Sequence, residues 1–173
     1  MHILIAGGAG FVGSNLAIFF RQQYPGYHIT CIDNLSRNGS ALNLTRLQEN
    51  NIQFVKADTR YFEQLQQQQK VDIIIDAAAE PSVLAGLADG LDYLVQTNIN
   101  GTVNLLKLAK QHMAGFIFLS TSRVYPIKAL TGLNYTATET RFQLNAVQSI
   151  AGCSDTGISE DFPLHGSRSL YGA

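Results

Sequence analysis

Five short apolar runs alternate with longer helix-like stretches, and this alternation limits the possible folds more than any other feature of the sequence. The runs cover residues 2–6, 28–33, 52–58, 71–79 and 115–121. Near-continuous apolar runs of this length are typical of strands buried on both faces of a parallel sheet. The order predicts βαβ units, and hence an α/β fold with a doubly wound parallel sheet, right-handed crossovers and helices on both faces.

The stretches between the runs predict the helices. They are expected at residues 14–24, ending at Pro25-Gly26, at 41–49, at 60–69 and over much of 90–113. Residues 126–168 have no clear period, and so long a connection is unusual in a compact domain. That segment is therefore expected to be either a functional loop or disordered.

Composition excludes several classes of protein. Hydrophobic residues make up 46% of the chain and the net charge is −1, which indicates a globular core and no electrostatic preference for nucleic acid or an anionic membrane. Cys31 and Cys153 are far apart, so neither a disulfide framework nor a zinc site is predicted, and no metal site is expected. Without a signal peptide or a membrane-spanning run, a cytoplasmic location is predicted.

The stretch "GGAGFVG" joins the first predicted strand to the first helix. Gly7 allows a tight turn, Gly10 lets the backbone approach a pyrophosphate at the helix N-terminus, and Gly13 lets the helix pack against the sheet. Phe11 and Val12 lie in the same stretch and are included in the predicted cofactor site. Glycine-rich turns without a ligand also occur, so the motif alone leaves both interpretations open.

A second signal is Asp33, which ends the second run twenty residues beyond Gly13. A carboxylate there can accept hydrogen bonds from both ribose hydroxyls of an adenosine and repels a 2′-phosphate, which favours NAD over NADP. Asn34 and Ser36 follow in the same loop and are included in the predicted cofactor site. Arg37 opposes this preference because its guanidinium could hold a phosphate. Taken alone, Asp33 could equally be a turn aspartate.

The next two runs end in residues that suit the same ligand. Asp58 and Thr59 follow the third run, where Asp58 would lie near an adenine amine. Ala77, Ala78 and Ala79 end the fourth run, and their small side chains would let the backbone lie close to a cofactor. Carboxyl ends of strands are where open α/β sheets bind ligands. For the alanines, ordinary core packing remains an equal alternative.

With these pieces placed, the sequence resembles the extended short-chain dehydrogenase/reductase family of NAD-dependent nucleotide-sugar epimerases and dehydratases. The resemblance covers the whole chain and rests on "GGAGFVGSN", "DNLSR", "DAAAEPSV", "NINGTVNLL", "STSRVY" and "SLYGA". It implies a Rossmann-like NAD-binding domain over residues 1–173 and a nucleotide-sugar substrate. The stretches "DNLSRNG", "NINGTVNLLKLAK" and "TETR" are most similar to a 2-epimerase of a CDP-sugar. A 4-epimerase, a 4,6-dehydratase or a non-catalytic NAD-binding regulatory module are the alternatives.

The resemblance also implies the catalytic residues. Thr121 matches the family's Ser/Thr, and Tyr171 matches the tyrosine of Y-x-x-x-K, which also lies near the cofactor, as does Asn98. The lysine would be residue 175, so the chain is expected to stop within the catalytic helix, before the last elements of the fold and the sugar-binding part. By itself it is expected to turn over no sugar nucleotide.

For the intact enzyme the resemblance implies transient oxidation of the sugar, return of the hydride to the other face, and a homodimer or larger assembly. Three positions depart from the family pattern: Ala6 stands for threonine, Asp76 for histidine and Pro126 for glycine. Asp76 adds a carboxylate near the cofactor whose role the sequence does not assign.

Overall fold

The computed structural model describes residues 1–82 and 90–168. Their contacts divide the chain into two compact units. The first contains residues 1–81 and 90–119, and the second contains residue 82 and residues 120–168. The division into two units does not test the prediction that residues 1–173 form one NAD-binding domain, which stays a prediction.

The first unit contains a five-stranded parallel sheet. Its strands are β1 (His2–Ala6), β2 (His28–Asp33), β3 (Gln53–Lys56), β4 (Ile73–Asp76) and β5 (Gly115–Phe118). Their order is β3-β2-β1-β4-β5, and all neighbours are parallel. The chain winds outward from β1 in one direction and then returns to add β4 and β5 on the other side. The predicted doubly wound sheet is confirmed, and its switch point lies between β1 and β4.

Helices pack on both faces because successive side chains of each strand point to opposite faces. The helices are α1 (Phe11–Gln23), α2 (Asn43–Glu49), α3 (Phe62–Leu65), α4 (Leu91–Val95) and α5 (Gly101–His112). A 3₁₀ turn, Ser40–Leu42, precedes α2, and a π-helical turn, Gln96–Asn100, joins α4 to α5.

The two faces of the sheet form two separate cores. One core contains Ile3 and Ile5 of β1 with Ala17 of α1 and Leu47 of α2. The other contains Leu4 and Ala6 of β1 with Leu65, Leu105 and Leu108 from α3 and α5. Cys31 belongs to the first core, directly behind the glycine turn, where a Cβ atom on Gly8 would collide with the Cys31 side chain.

Several predicted boundaries were wrong. The helix expected at residues 60–69 covers only Phe62–Leu65, because Leu65 is the buried residue of that helix and the glutamines after it have no apolar face to pack. The helix expected from residue 14 begins at Phe11, directly after the glycine turn. The third, fourth and fifth strands are each shorter than the apolar runs that predicted them.

The second unit consists of short elements. A 3₁₀ turn, Ser122–Val124, is followed by α6 (Ile127–Thr131) and two antiparallel hairpins. The hairpins pair β6 (Tyr135–Ala137) with β7 (Phe142–Leu144), and β8 (Cys153–Ser154) with β9 (Gly157–Ile158). Phe162 is buried and meets Tyr125 edge to face at 5.4 Å. The segment without sequence periodicity therefore forms small hairpins with a buried aromatic residue of its own.

Across residues 1–82 and 90–168, each helix falls short of the length and apolar character needed to cross a bilayer.

The amino end of the sheet holds a histidine whose protonation opposes folding. Nδ1 of His2 donates to the Lys70 carbonyl at 3.0 Å, Nε2 lies 2.9 Å from the Thr30 hydroxyl, and the ring meets His28 edge-on at 4.4 Å. Burial lowers the pKa of His2, with charges on His28 and the N-terminus acting in the same direction, while the Lys70 carbonyl and Asp72 oppose them.

We expect His2 to make the free energy of unfolding depend on pH. Because the folded pKa lies below the unfolded value of about 6.5, the unfolded chain binds the proton first, and the contribution is lost as pH falls below about 6.5. Urea unfolding from about pH 8 to pH 5 should show a smaller decrease in His2→Gln than in the parent. His165→Gln, at an exposed position, is the control. Equal pH dependence in the parent and His2→Gln would contradict the assignment.

Candidate functional site

A cleft opens at the carboxyl ends of β1 to β4, within the first unit. Its walls come from the turn after β1, the loops after β2, β3 and β4, and helix α4 with its π turn. The lining residues are Gly7, Gly10, Ile32, Asp33, Asn34, Ser36, Arg37, Ser40, Ala57, Asp58, Thr59, Ala77, Ala78, Ala79, Glu80, Tyr93 and Thr97. The cleft lies where a doubly wound sheet places its ligands.

The glycine turn forms the floor of the cleft. Gly7 has φ of +69°, a left-handed conformation, and a Cβ atom there would lie 2.5 Å from the Ala77 carbonyl oxygen. The Gly10 N–H donates to the Gly7 carbonyl at 3.0 Å, which closes the turn before α1 begins. A Cβ atom on Gly13 would collide with the Gly7 carbonyl oxygen. The local sequence therefore brings strand, turn and helix closer together than side chains would permit.

Asp33 ties the glycine turn to the loop after β2. Its Oδ2 accepts from the Ala9 N–H at 3.2 Å, and its Oδ1 accepts from the Leu35 N–H at 2.8 Å. The Ala9 carbonyl accepts from Nδ2 of Asn43 at 2.8 Å, so α2 also holds the turn. A carboxylate has about four acceptor positions, so these two bonds leave capacity for hydroxyl groups of a ligand.

Asp58 is held by a guanidinium. Arg60 binds both of its oxygens, with Nη2 at 2.6 Å from Oδ2 and Nε at 3.0 Å from Oδ1. Nδ2 of Asn34 also donates to Oδ2 at 3.0 Å. Burial acts to raise the pKa of Asp58, but the hydrogen bonds from Arg60 and Asn34 outweigh it and the pKa is lowered. The loops after β2 and β3 thus share a charged carboxylate.

The wall after β4 is held by the π turn. Oδ1 of Asn98 accepts from the Glu80 N–H at 2.8 Å, and Nδ2 donates to the Glu80 carbonyl at 3.4 Å. One residue earlier in this turn, the hydroxyl oxygen of Thr97 is buried and has no hydrogen-bond partner within residues 1–82 and 90–168, although Thr97 lines the cleft. A buried hydroxyl without a partner is costly, and a ligand in the cleft is one way to satisfy it.

Most of the residues predicted to bind the cofactor line this cleft. The remaining predicted site residues lie elsewhere. Phe11 and Val12 are exposed on the first turn of α1, and Gly13 packs beneath the turn. Asn98 acts on the cleft through Glu80. Thr121 is half-buried in the second unit, where its hydroxyl oxygen accepts from the Arg123 N–H at 3.2 Å, and Tyr171 lies outside the described residues.

Six residues that line the cleft were not predicted from the sequence. Ile32, Ala57 and Glu80 adjoin predicted residues, so their positions could have been extended from the strand ends. Ser40, Tyr93 and Thr97 belong to other elements, and no local motif marks them. In the described part of the chain, no group of three His, Cys, Asp or Glu side chains could hold a metal ion.

Comparison with known proteins assigns the chain to a family. The model of the NAD dependent epimerase/dehydratase family matches residues 3–147, which is well over half of the chain. The chain belongs to the NAD-dependent epimerase/dehydratase family. The resemblance inferred from the motifs is confirmed, and NAD is the cofactor that gives this family its name.

Individual relatives within the family differ in activity. The dTDP-D-glucose 4,6-dehydratase of Dictyostelium discoideum is 35% identical over 128 residues, which cover 71% of this chain and 29% of that protein. The CDP-paratose 2-epimerase of Salmonella typhi is 34% identical over 149 residues, 82% of this chain and 42% of that protein. The chain spans less than half the length of these relatives.

A solved structure shows the same fold. The dTDP-glucose 4,6-dehydratase of Bacillus anthracis, solved in complex with NAD, is 28% identical, with a TM-score of 0.64 over 99% of this chain and 46% of that one. The residues of the cleft fit such a dinucleotide. The turn leaves no room for side chains at Gly7 and Gly13, Asp33 has acceptor capacity, and Thr97 has a hydroxyl to satisfy.

Proposed function

We propose that the chain binds NAD in this cleft as the cofactor part of a nucleotide-sugar epimerase. The observation that carries the proposal is Asp33, whose carboxylate lies against the glycine turn at the switch point of the sheet. Calorimetric titration of the chain with NAD and NADP tests it. Tighter binding of NAD is expected, because a carboxylate beside the turn repels a 2′-phosphate. Equal or tighter binding of NADP would show that Arg37 decides the preference.

Each wall of the cleft has a part in this binding. The glycine turn and the N-terminus of α1, with its partial positive charge, receive the pyrophosphate. Asp33 accepts the ribose hydroxyls, Asp58 lies where an adenine amine would bind, and Ala77–Ala79 leave room for the rest of the cofactor. When bound, NAD supplies a reversible acceptor for a hydride.

We assign acid–base chemistry to Thr121 and Tyr171. The Thr121 hydroxyl oxygen accepts the Arg123 N–H, so its own proton remains available to a sugar hydroxyl. Tyr171 would take the proton from that hydroxyl, as the family resemblance implies. Both roles are tested by Thr121→Val and Tyr171→Phe in the full-length gene product, which should lose turnover while keeping NAD affinity.

For the substrate we propose a CDP-sugar and epimerisation at C2. The support is the similarity to the CDP-paratose 2-epimerase over 82% of the chain, together with "TSRVY". A dehydratase needs acidic residues directly after the Ser/Thr for proton transfer, and the chain has Ser122 and Arg123 there. The full-length protein is expected to convert a CDP-sugar into the same sugar with the opposite configuration at C2. Elimination of water from a dTDP-sugar would favour the 4,6-dehydratase alternative.

We also propose that the protein forms a homodimer through the helix over residues 91–112. Five apolar residues with spacings of three or four form a stripe on this helix, each between 37% and 56% exposed: Leu91, Val95, Ile99, Val103 and Leu106. Asp92 lies at the start of the helix, and Lys107 and Lys110 lie near its end. A second copy in antiparallel orientation would pair the two stripes and bring opposite charges together.

A charged residue in the middle of the stripe should prevent this association. Ile99→Glu would place two like charges near the symmetry axis of the dimer, so sedimentation analysis at tens of micromolar should show monomers where the parent shows dimers. Ile127→Glu, at a position 50% exposed in the second unit, is the matched control and should leave the dimer intact. A monomeric parent chain, or a dimer that persists in Ile99→Glu, would contradict the proposal.

A further inference from the structure

The last residue of β4, Asp76, has a buried carboxylate. None of the proposed contacts with the cofactor gives this carboxylate a role. Asp76 is 2% exposed and lies between β1 and β5 in the sheet. Among the described residues no cation forms an ion pair with it. Burial raises the pKa of Asp76, against the opposing effects of its two hydrogen bonds. Because an apolar side chain would fill this position at lower cost, the carboxylate needs another reason to be there.

Its two oxygens bind two different elements around the cleft. Oδ1 accepts from the Ala78 N–H at 3.1 Å, which fixes the peptide of a cleft-lining residue. Oδ2 accepts from the Thr102 hydroxyl at 2.7 Å, which fixes the first turn of α5. The two donors belong to the loop after β4, which lines the cleft, and to α5, which directly follows the π turn.

A second connection closes the arrangement. The Thr102 hydroxyl lies 3.2 Å from the Asn98 carbonyl, and the Asn98 side chain binds both backbone groups of Glu80. The hydroxyl has one proton, and the shorter distance and the negative charge both direct it to Asp76. The wall 77–80 is therefore held at its start by Asp76 and at its end by Asn98, and both attachments lead to the same helix.

We infer that Asp76 is a positioning residue of the cofactor site, which with Thr102 holds the wall 77–80 at the distance from helix 91–112 that the cofactor requires. The inference rests on the proposed NAD binding for its functional consequence, and on the two hydrogen bonds for its mechanism. Asp76 touches no ligand in this scheme. Without the pair, the wall loses its connection through Asp76 to α5, while the bond from the Ala77 N–H to the Ala6 carbonyl and the bonds between Asn98 and Glu80 remain.

The decisive variants alter the hydroxyl and leave the carboxylate in place. Thr102→Val removes the donor at constant volume and should weaken NAD binding about 3- to 10-fold, the usual range for one hydrogen bond. Thr102→Ser keeps the donor and should restore the parent affinity. Thr30→Val is the control, since it removes the hydroxyl of a buried threonine that binds His2, away from the cleft, whereas Thr102 is half-buried. A loss in Thr102→Val that equals the loss in Thr30→Val, or that Thr102→Ser fails to rescue, overturns the inference.

Amide hydrogen exchange separates this inference from the proposed function, because it needs no cofactor. Exchange of the amides at residues 77–80 should accelerate in Thr102→Val and remain unchanged in Thr30→Val. Asp76→Asn, which keeps an acceptor for Ala78 and can donate to Thr102, should exchange more slowly there than Asp76→Leu. Unchanged exchange in Thr102→Val overturns the inference even if NAD binds. A parent chain that fails to bind NAD refutes the proposed function alone, and the exchange result still decides the positioning role.

Discussion

Replacing Asp33 by alanine is expected to weaken NAD binding by about 1.5–3 kcal/mol, or roughly 10- to 150-fold in Kd. The change removes a charged acceptor of ribose hydroxyls and the two bonds that hold the glycine turn and the Leu35 loop. Affinity for NADP should fall less, because a repulsive charge is removed together with the structural bonds. Calorimetric titration with both cofactors measures the two changes.

The control for this variant is another carboxylate that accepts a backbone N–H. Oδ2 of Asp72 accepts from the His2 N–H at 2.7 Å, at the amino end of the sheet. Asp72→Ala should leave both affinities unchanged. An Asp33→Ala variant that binds NAD as the parent does would show that the ribose lies elsewhere. A gap between NAD and NADP that stays constant would show that Asp33 does not set the preference.

Replacing Gly13 by alanine is expected to destabilise the fold by about 3 kcal/mol, near the upper end for overpacking. The new Cβ atom would meet the Gly7 carbonyl oxygen and the Gly8 backbone, and backbone atoms have no alternative rotamer to adopt. Helix propensity acts in the opposite direction, since alanine within a helix is favoured over glycine by about 1 kcal/mol. Urea unfolding measures the net effect, and NAD affinity should fall with it.

Gly26 provides the comparison for this change. A Cβ atom on Gly26 would have no neighbour within 4 Å, so Gly26→Ala should alter stability by less than about 0.5 kcal/mol. If Gly13→Ala proved as stable as Gly26→Ala, the turn would have to be able to move away from α1. The close approach of strand and helix would then have no role in stability.

The sequence predicted those parts of the site that depend on the spacing of residues close together in the chain. Gly7, Gly10 and Asp33 are recognisable because a tight turn and a strand end each have a residue preference of their own. Tyr93 and Thr97 reach the cleft through the packing of a helix more than thirty residues after β3, and no short-range pattern records that contact.

The same distinction explains the errors in the helices and the unassigned aspartate. Glutamines at 66–69 have fair helix propensity but no apolar face, so tertiary packing does not support the helix that propensity suggests. The role of Asp76 depends on its burial and on the Thr102 hydroxyl, 26 residues away. The order of the residues gives neither the burial nor this contact, so the sequence predicts no role for Asp76.

The reactivity of the Cys31 thiol can be used to measure how often the sheet opens. The thiol is fully buried behind Gly8, and burial raises its pKa to about 12, with the charge of Asp33 acting in the same direction. Thiol reagents attack the thiolate, which this environment suppresses at neutral pH. Alkylation of Cys31 therefore requires the core around β2 to open, whereas Cys153 is only half-buried. The ratio of the two labelling rates would follow the opening of the central strands without an engineered cysteine.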